Sequence, residues 1–253
     1  MRRGQPRPHG AIEYSAFVAG FPYSKNKVNN AGRLLCDYLD DPARLPDDEV
    51  RLSFDIADIW RSSHARPLQS INMSLRSFAR SCNVDAPIAQ RHKRLIRILQ
   101  KLHREDGNMM LARMEDIGGA RVVFNNIEDL RRYEAHLDNA WRGDKHKLKS
   151  RDYISEPKES GYRAVHKIVT RSERRIEVQL RTRSMHDWAN SVERLGRDMG
   201  VELKVGQGSD AILNYLRLVA DVNWQYELGN SPSAELKSQL DDALERVRGG
   251  IRK

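Results

Sequence analysis

The sequence predicts an α+β protein in which a small β-sheet in the middle of the chain is flanked by helical segments on both sides. Three observations carry this. From about Lys25 to Asp106 nearly every segment has helical spacing of its apolar residues. Near Ala120 the period changes, with β-type runs at Ala120 to Phe124, Ala164 to Thr170 and Arg174 to Arg181. After Thr182 the helical spacing returns. At 253 residues the chain is long enough for one such core with helical additions and short for two full domains.

Taken in order, residues 1 to 22 carry Pro6, Pro8, Gly20 and Pro22 among mixed residues and read as an irregular lead. The helical first half is weakly punctuated at Asp41-Pro42, Leu45-Pro46 and Pro67. Ile127 to Asp138 reads as a helix between the first and second β runs. The last part reads as helices to Gly200, over Ala211 to Tyr226 and over Ala234 to Val247, joined at Gly206 to Gly208 and Gly229 to Pro232. The expected organisation is an N-terminal lead and helical region over 1–85, a core over 86–200 and a C-terminal helical extension over 201–253.

With 39% apolar and 31% charged residues and a mean hydropathy of −0.70, the composition is that of a water-soluble globular protein. The basic opening has no apolar stretch behind it that would serve as a signal segment, and no run reaches transmembrane length, so the expectation is a cytoplasmic protein with no membrane partner. Cys36 and Cys82 have no metal-ligand spacing and read as reduced packing residues. A formal charge of +9 attracts polyanions: nucleotides, RNA or an acidic partner.

Four segments hold chemistry-bearing residues. Projected as one helix, Pro87 to Arg104 puts Lys93, Arg94, Arg97, Lys101 and Arg104 on one side and Ile88, Leu95, Ile98, Leu99 and Leu102 on the other, with Arg91 off the basic stripe. Such a helix either packs on the sheet and offers cations to a phosphate chain, or is an ordinary surface helix. In Arg175-Ile-Glu-Val-Gln-Leu-Arg181 strict alternation puts Arg175, Glu177, Gln179 and Arg181 on one face, which is either solvent-facing or a polar wall. Between two β segments lies Asp152 to His166, where Lys158 and Arg163 are candidate phosphate holders and Tyr162, after the turn-forming Gly161, is a candidate base-stacking ring. Asp116-Ile-Gly-Gly-Ala-Arg121 places a carboxylate just before a strand; alone it is a turn, and with Glu177 it supplies two hard-oxygen ligands for Mg²⁺ between nucleotide phosphates.

In the same order, Arg91-x-Lys93, Ile98-x-x-Lys101, Asp116-Ile-Gly-Gly-x-Arg121, Asp152-Tyr-Ile-x-x-Pro-Lys158, Gly161-Tyr-Arg-x-x-His166 and Glu177-x-Gln-x-Arg-Thr182 resemble the synthetase domain of RelA/SpoT alarmone enzymes. Tyr23-Ser-Lys-x-x-Val28 and Trp60-Arg-Ser-Ser-His64 are similar to the N-terminal region of small stand-alone members. The resemblance implies a nucleotidyltransferase-like mixed sheet, and a GTP pyrophosphokinase that moves the β,γ-pyrophosphate of ATP to the 3′-hydroxyl of GDP or GTP, making the stringent-response alarmone (p)ppGpp. By position it implies that Asp116 and Glu177 are catalytic and hold Mg²⁺. Arg91, Lys93, Lys101, Arg104 and Arg121 are then ATP-binding, and Lys158, Tyr162, His166, Gln179 and Arg181 face the acceptor, with Tyr162 on its base.

Three positions depart from the family pattern: Arg97-Ile98 where Ser-Ile is common, His186 where a small Asn or Asp often lies near the acceptor base, and Glu193-Arg194 where Glu-His is usual. His186 is therefore added to the acceptor group. These departures and the basic charge keep two alternatives open: a toxic family member that pyrophosphorylates an adenine nucleotide or the tRNA 3′ end and is paired with an antitoxin protein, and an inactive nucleotide- or RNA-binding regulator. A homo-oligomer is a further expected partner state.

Overall fold

In the computed structural model the described residues are 21–105, 108–143 and 148–251. Of the irregular lead, only Phe21 and Pro22 fall among them. Ser24 caps α1 (Lys25–Asp40), its hydroxyl accepting from the Lys27 N–H, and the helix buries Val28, Ala31, Leu34 and Leu35. Three carboxylates, Asp47, Asp48 and Glu49, fill the first turn of α2 (Asp47–Ser62), where they complement the helix dipole. The third helix, α3 (Ala65–Ser81), buries Leu68, Ile71 and Leu75 at helical spacing.

The run from Pro87 to Arg104 is not one helix. Ile88–His92 forms β1, paired antiparallel with Val122 to Gly118, and only Leu95–Arg104 forms a helix, α4. Helical spacing loses here because the sheet edge offers the segment a full set of backbone hydrogen bonds. Nor does α4 pack on the sheet: Ile98, Leu99 and Leu102 close a core with Val28, Ala31, Leu35, Ile56 and Trp60 of α1 and α2 and with Leu111, Met114 and Ile117.

β2 (Gly118–Phe124), α5 (Ile127–Ala140), β3 (Lys149–Asp152), β4 (Val165–Arg171) and β5 (Arg174–Thr182) follow. The sheet order is β1-β2-β5-β4-β3, with β2 and β5 parallel and the other neighbours antiparallel. It is thus the mixed sheet expected, with the edge strands β1 and β3 in addition to the three runs read from sequence. Ser172 and Glu173, both at positive φ, make the two-residue turn between β4 and β5 that sets their register.

Ala120, Val122 and Phe124 of β2, Ile176, Val178 and Leu180 of β5 and Val165 and Val169 of β4 share one face, covered by α3 and α5. Thr182 accepts from the Met185 N–H to start α6 (Arg183–Met199), which Gly200 ends in the left-handed region. α6 packs with α7 (Asp210–Glu227) around Tyr162, Ala164, Trp188 and Leu216, and α8 (Ala234–Ile251) lies on α7. Among the described residues no helix is long and apolar enough to cross a membrane.

His64 sits at the junction of α2 and α3, 1% exposed, with Nδ1 2.9 Å from the Trp60 carbonyl. Burial lowers its pKa from 6.5 to about 4. The folded-state value lies below the unfolded one, so stability present above pH 6.5 is lost as pH falls toward about 4. We expect wild-type stability to fall across that window by about 3 kcal/mol more than that of His64→Gln, measured by urea unfolding at a series of pH values.

Candidate active site

The face of the sheet opposite α3 and α5 is polar, and strand register assembles it. Arg91 stands opposite Gly119, Gly119 opposite Glu177, Arg121 opposite Gln179, and Gln179 opposite His166, which faces Arg151 of β3. Paired residues project to the same side, so Arg91, Arg121, Glu177, Gln179, Arg181, His166 and Arg151 line one surface. Alternation in β5 thus makes a polar wall.

At one end of this face Asp116 precedes β2. Its Oδ2 accepts from Lys93 Nζ at 2.7 Å and from Lys101 Nζ at 3.0 Å, while Oδ1 is buried without a hydrogen-bond partner among the described residues. Burial opposes ionisation of Asp116, but the two ammonium groups hold its carboxyl below the usual range. Burial also pulls Lys93 down, and Asp116 offsets this only in part. The neighbouring Glu115 is held from the edge strand β3 by Arg151 at 2.7 Å and Lys149 at 3.3 Å.

Glu177 lies in a closed ring of hydrogen bonds. Its Oε1 is 2.9 Å from His166 Nδ1 and its Oε2 accepts from Gln179 Nε2 at 2.6 Å. His166 Nε2 is 2.6 Å from the Tyr162 hydroxyl, and Arg181 Nη2 donates at 2.7 Å both to that hydroxyl and to Gln179 Oε1. Burial pushes the Glu177 carboxyl up, yet the His166 hydrogen bond, with help from Gln179, brings it below the usual range against the repulsion of Asp116. The site therefore holds two ionised carboxylates.

Lys158 lies over two rings, its Nζ 4.8 Å from the Tyr153 centroid and 5.5 Å from that of Tyr162. Tyr162 is only 7% exposed, so a base that stacks on it displaces Lys158. Gly161 places it: at φ +85° the backbone passes so close to α7 that a Cβ would stand 2.7 Å from Ala220 Cβ and 3.1 Å from Arg217 Cα.

Not every sequence-predicted residue reaches this face as expected. His186 in the first turn of α6 points its Nδ1 at Arg121 Nη1, 3.1 Å away, and its Nε2 at Asn190, linking the acceptor candidate to an ATP-binding candidate. Arg104 pairs with Glu202 at 2.5 Å, joining α4 to the turn after α6. Arg163 is turned away, ion-paired with Asp221 at 3.0 Å and stacked on Trp224, so it is no phosphate holder; Asp221 on α7, far along the chain, captured it. Sequence reasoning missed Glu115, Arg151 and the Glu193–Lys204 pair. Burial opposes ionisation of Glu193, but Lys204, with Arg91 and Arg181 nearby, holds its carboxyl low. Arg151 lies in a strand, Lys-Ser-Arg-Asp, with no apolar residue to announce it.

Residues 90–195 match the region found in RelA/SpoT proteins. That segment is what the chain shares with the RelA/SpoT family. The GTP pyrophosphokinase YjbM of Bacillus subtilis is 27% identical over 173 residues, covering 65% of this chain and 72% of that protein. The GTP pyrophosphokinase rsh of Brucella melitensis is 31% identical over 123 residues, 48% of this chain; the match spans 16% of that much longer protein. The small alarmone synthetases 1 and 2 of Bacillus subtilis share the fold, with TM-scores of 0.52 and 0.55 at 20% identity, covering 76% and 67% of this chain and 95% and 92% of theirs.

Gly161→Ala should cost about 2 kcal/mol or more, from the positive φ and the overlap with α7 together. Urea unfolding measures the cost, and fluorescence of Trp188, which packs near Tyr162, reports the local shift.

Proposed function

We propose that this chain is an ATP-dependent pyrophosphokinase whose acceptor is the 3′-hydroxyl of GDP or GTP. The observation that carries the reading is the placement of two ionised carboxylates, Asp116 and Glu177, on one sheet face among Lys93, Lys101, Arg91 and Arg121. The YjbM and rsh names point the same way. Phosphoryl transfer asks a protein mainly for positioning and neutralisation of charge, which such a surface supplies.

The donor residues fit a divalent cation such as Mg²⁺. Asp116 Oδ1 is a buried acceptor without a partner among the described residues, and Glu177 is a second hard-oxygen donor that feels the Asp116 charge. Among the described residues no third acidic or imidazole ligand joins them, so a bound cation would need further oxygen donors from nucleotide or water. When bound, the cation neutralises charge on the transferred phosphates. Lys93 and Lys101 hold Asp116 and offer their remaining donors to the donor nucleotide; Arg91 and Arg121 take its phosphates. Glu177 accepts a hydrogen bond from the acceptor 3′-hydroxyl and takes its proton as that oxygen attacks the β-phosphorus. The bond from the β-phosphorus to the bridging oxygen of the α-phosphate breaks and AMP leaves. Tyr162 receives the acceptor base as Lys158 moves off its ring, and His166, Gln179 and Arg181 form the floor beneath it.

The His186–Arg121 contact favours keeping a second acceptor class in view, because the side chain that departs from the family pattern touches the phosphate-binding group. GDP, GTP, ATP and deacylated tRNA are therefore offered separately with γ-labelled ATP, and products are separated by thin-layer chromatography. Labelled product with a guanine nucleotide is expected; product only with ATP or tRNA moves the assignment to that acceptor, and none with any acceptor overturns the transferase reading.

Glu177→Gln should lower kcat by about a hundredfold or more while the fold persists, read from circular dichroism and the same assay. Lys101→Ala should raise the KM for ATP about tenfold and leave the acceptor KM nearly unchanged, since one charge-assisted contact to the donor is lost. Equal effects on both substrates would return Lys101 to a structural role.

A further inference from the structure

Tyr162 was expected to offer its ring; the structure draws attention to its hydroxyl. That oxygen is in a residue 7% exposed and is held between Arg181 Nη2 at 2.7 Å and His166 Nε2 at 2.6 Å. A guanidinium can only donate, so the hydroxyl oxygen accepts from Arg181. Its single proton is then satisfied by His166 Nε2, the other polar atom in reach. Were Nε2 protonated instead, the Tyr162 proton would be buried without an acceptor, a cost of about 1–3 kcal/mol. Nε2 must therefore be the bare nitrogen, which leaves the imidazole proton on Nδ1, 2.9 Å from Glu177 Oε1.

We propose that the Tyr162 hydroxyl is a positioning group for Glu177, acting through His166. Arg181 directs the hydroxyl, the hydroxyl selects the Nδ1–H tautomer of His166, and that N–H holds one oxygen of Glu177. Gln179, itself fixed by Arg181, holds the other. Arg181 thus begins both arms that end on the carboxylate, and the Glu177 plane is set from two sides. One consequence separates this from stacking: the ring of Tyr162 serves acceptor binding, whereas the hydroxyl serves the orientation of Glu177. The kinetic part of the proposal rests on the transferase reading; the tautomer part does not.

The test begins with the wild type. In protein labelled with ¹⁵N-histidine, with the His166 signal assigned by its loss in His166→Gln, Nδ1 should be the protonated nitrogen and Nε2 the bare one. A wild-type His166 protonated on Nε2 alone overturns the proposal without any variant of Tyr162. Tyr162→Phe keeps the ring and removes the hydroxyl, so Nε2–H should become populated. In the transfer assay kcat should fall about tenfold or more while the acceptor KM stays within about twofold, the pattern of a lost orienting contact. Adding Tyr162→Phe to His166→Gln should lower kcat little further, because both lie on one arm. An unchanged tautomer in Tyr162→Phe, an unchanged kcat, or a raised acceptor KM at constant kcat each overturns the relay. If the wild type transfers pyrophosphate to no acceptor, the transferase reading falls and the tautomer spectra alone decide the relay.

Discussion

The parallel pairing of β2 with β5 is the constraint on which the rest of the site depends. Gly119 opposite Glu177 and Arg121 opposite Gln179 put the two parallel strands in step. A slip of one residue would turn Glu177 and Gln179 into the apolar layer under α3 and α5 and bring Val178 to the surface. The apolar partners Ala120, Val122, Ile176, Val178 and Leu180 forbid that slip, since all are 4% exposed or less. Burial of one face therefore specifies the chemistry of the other. Gly119 has a further part: without a side chain on the polar face it leaves the space beside Glu177 clear.

The second constraint is electrostatic. A chain with a formal charge of +9 has to keep many cations apart, and around this face partly buried carboxylates are paired with them. Asp116 takes Lys93 and Lys101, Glu115 takes Arg151 and Lys149, and Glu193 takes Lys204. The arginines are less fully matched: Arg121 and Arg181 each leave Nε buried without a partner among the described residues, and burial together with the Arg181 charge lowers the affinity of Arg121 for its own proton. Such a surface is complementary to polyphosphate, because a bound anion relieves repulsion already present in the protein. By contrast the one lysine in the apolar layer, Lys167, is matched at 2.8 Å by Glu134 and by Asp138 of α5 and has no such role.

Legibility in the sequence followed how local the deciding interaction was. Alternation in Arg175 to Arg181 and the glycine pair before Val122 were readable because period 2 and a sharp approach to a strand are local signals. The strand that carries Arg91 was not, since three of the five β1 side chains are exposed and Ile88 falls in line with the helical spacing of Leu95 to Arg104. β3 escaped notice for want of any apolar residue. Arg163 and His186 show the limit more sharply: both lie in function-rich segments, and their contacts are decided by Asp221 and Arg121, 58 and 65 residues away. The sequence groups the candidate residues, but not which side chain each touches.

The ring around Glu177 shows why such a set can be legible when its wiring is not. Glu177, Gln179 and Arg181 follow at intervals of two on β5, so their common face is a local fact. His166 joins them only because the Ser172-Glu173 turn fixes β4 against β5 with His166 opposite Gln179. Tyr162 joins only because Gly161 bends the chain against Ala220, so that α7, more than fifty residues on, sets where the hydroxyl stands. The two wings are then tied across the face by Arg104 and Glu202, which lie 98 residues apart. Helices outside the sheet thus have a part in shaping the polar face: α7 sets the Tyr162 backbone, α6 carries His186 and Glu193, and α4 carries Lys101. The geometry of Glu177 is consequently a property of the assembled fold, and a change in α7 reaches the carboxylate through Gly161, Tyr162 and His166 in turn.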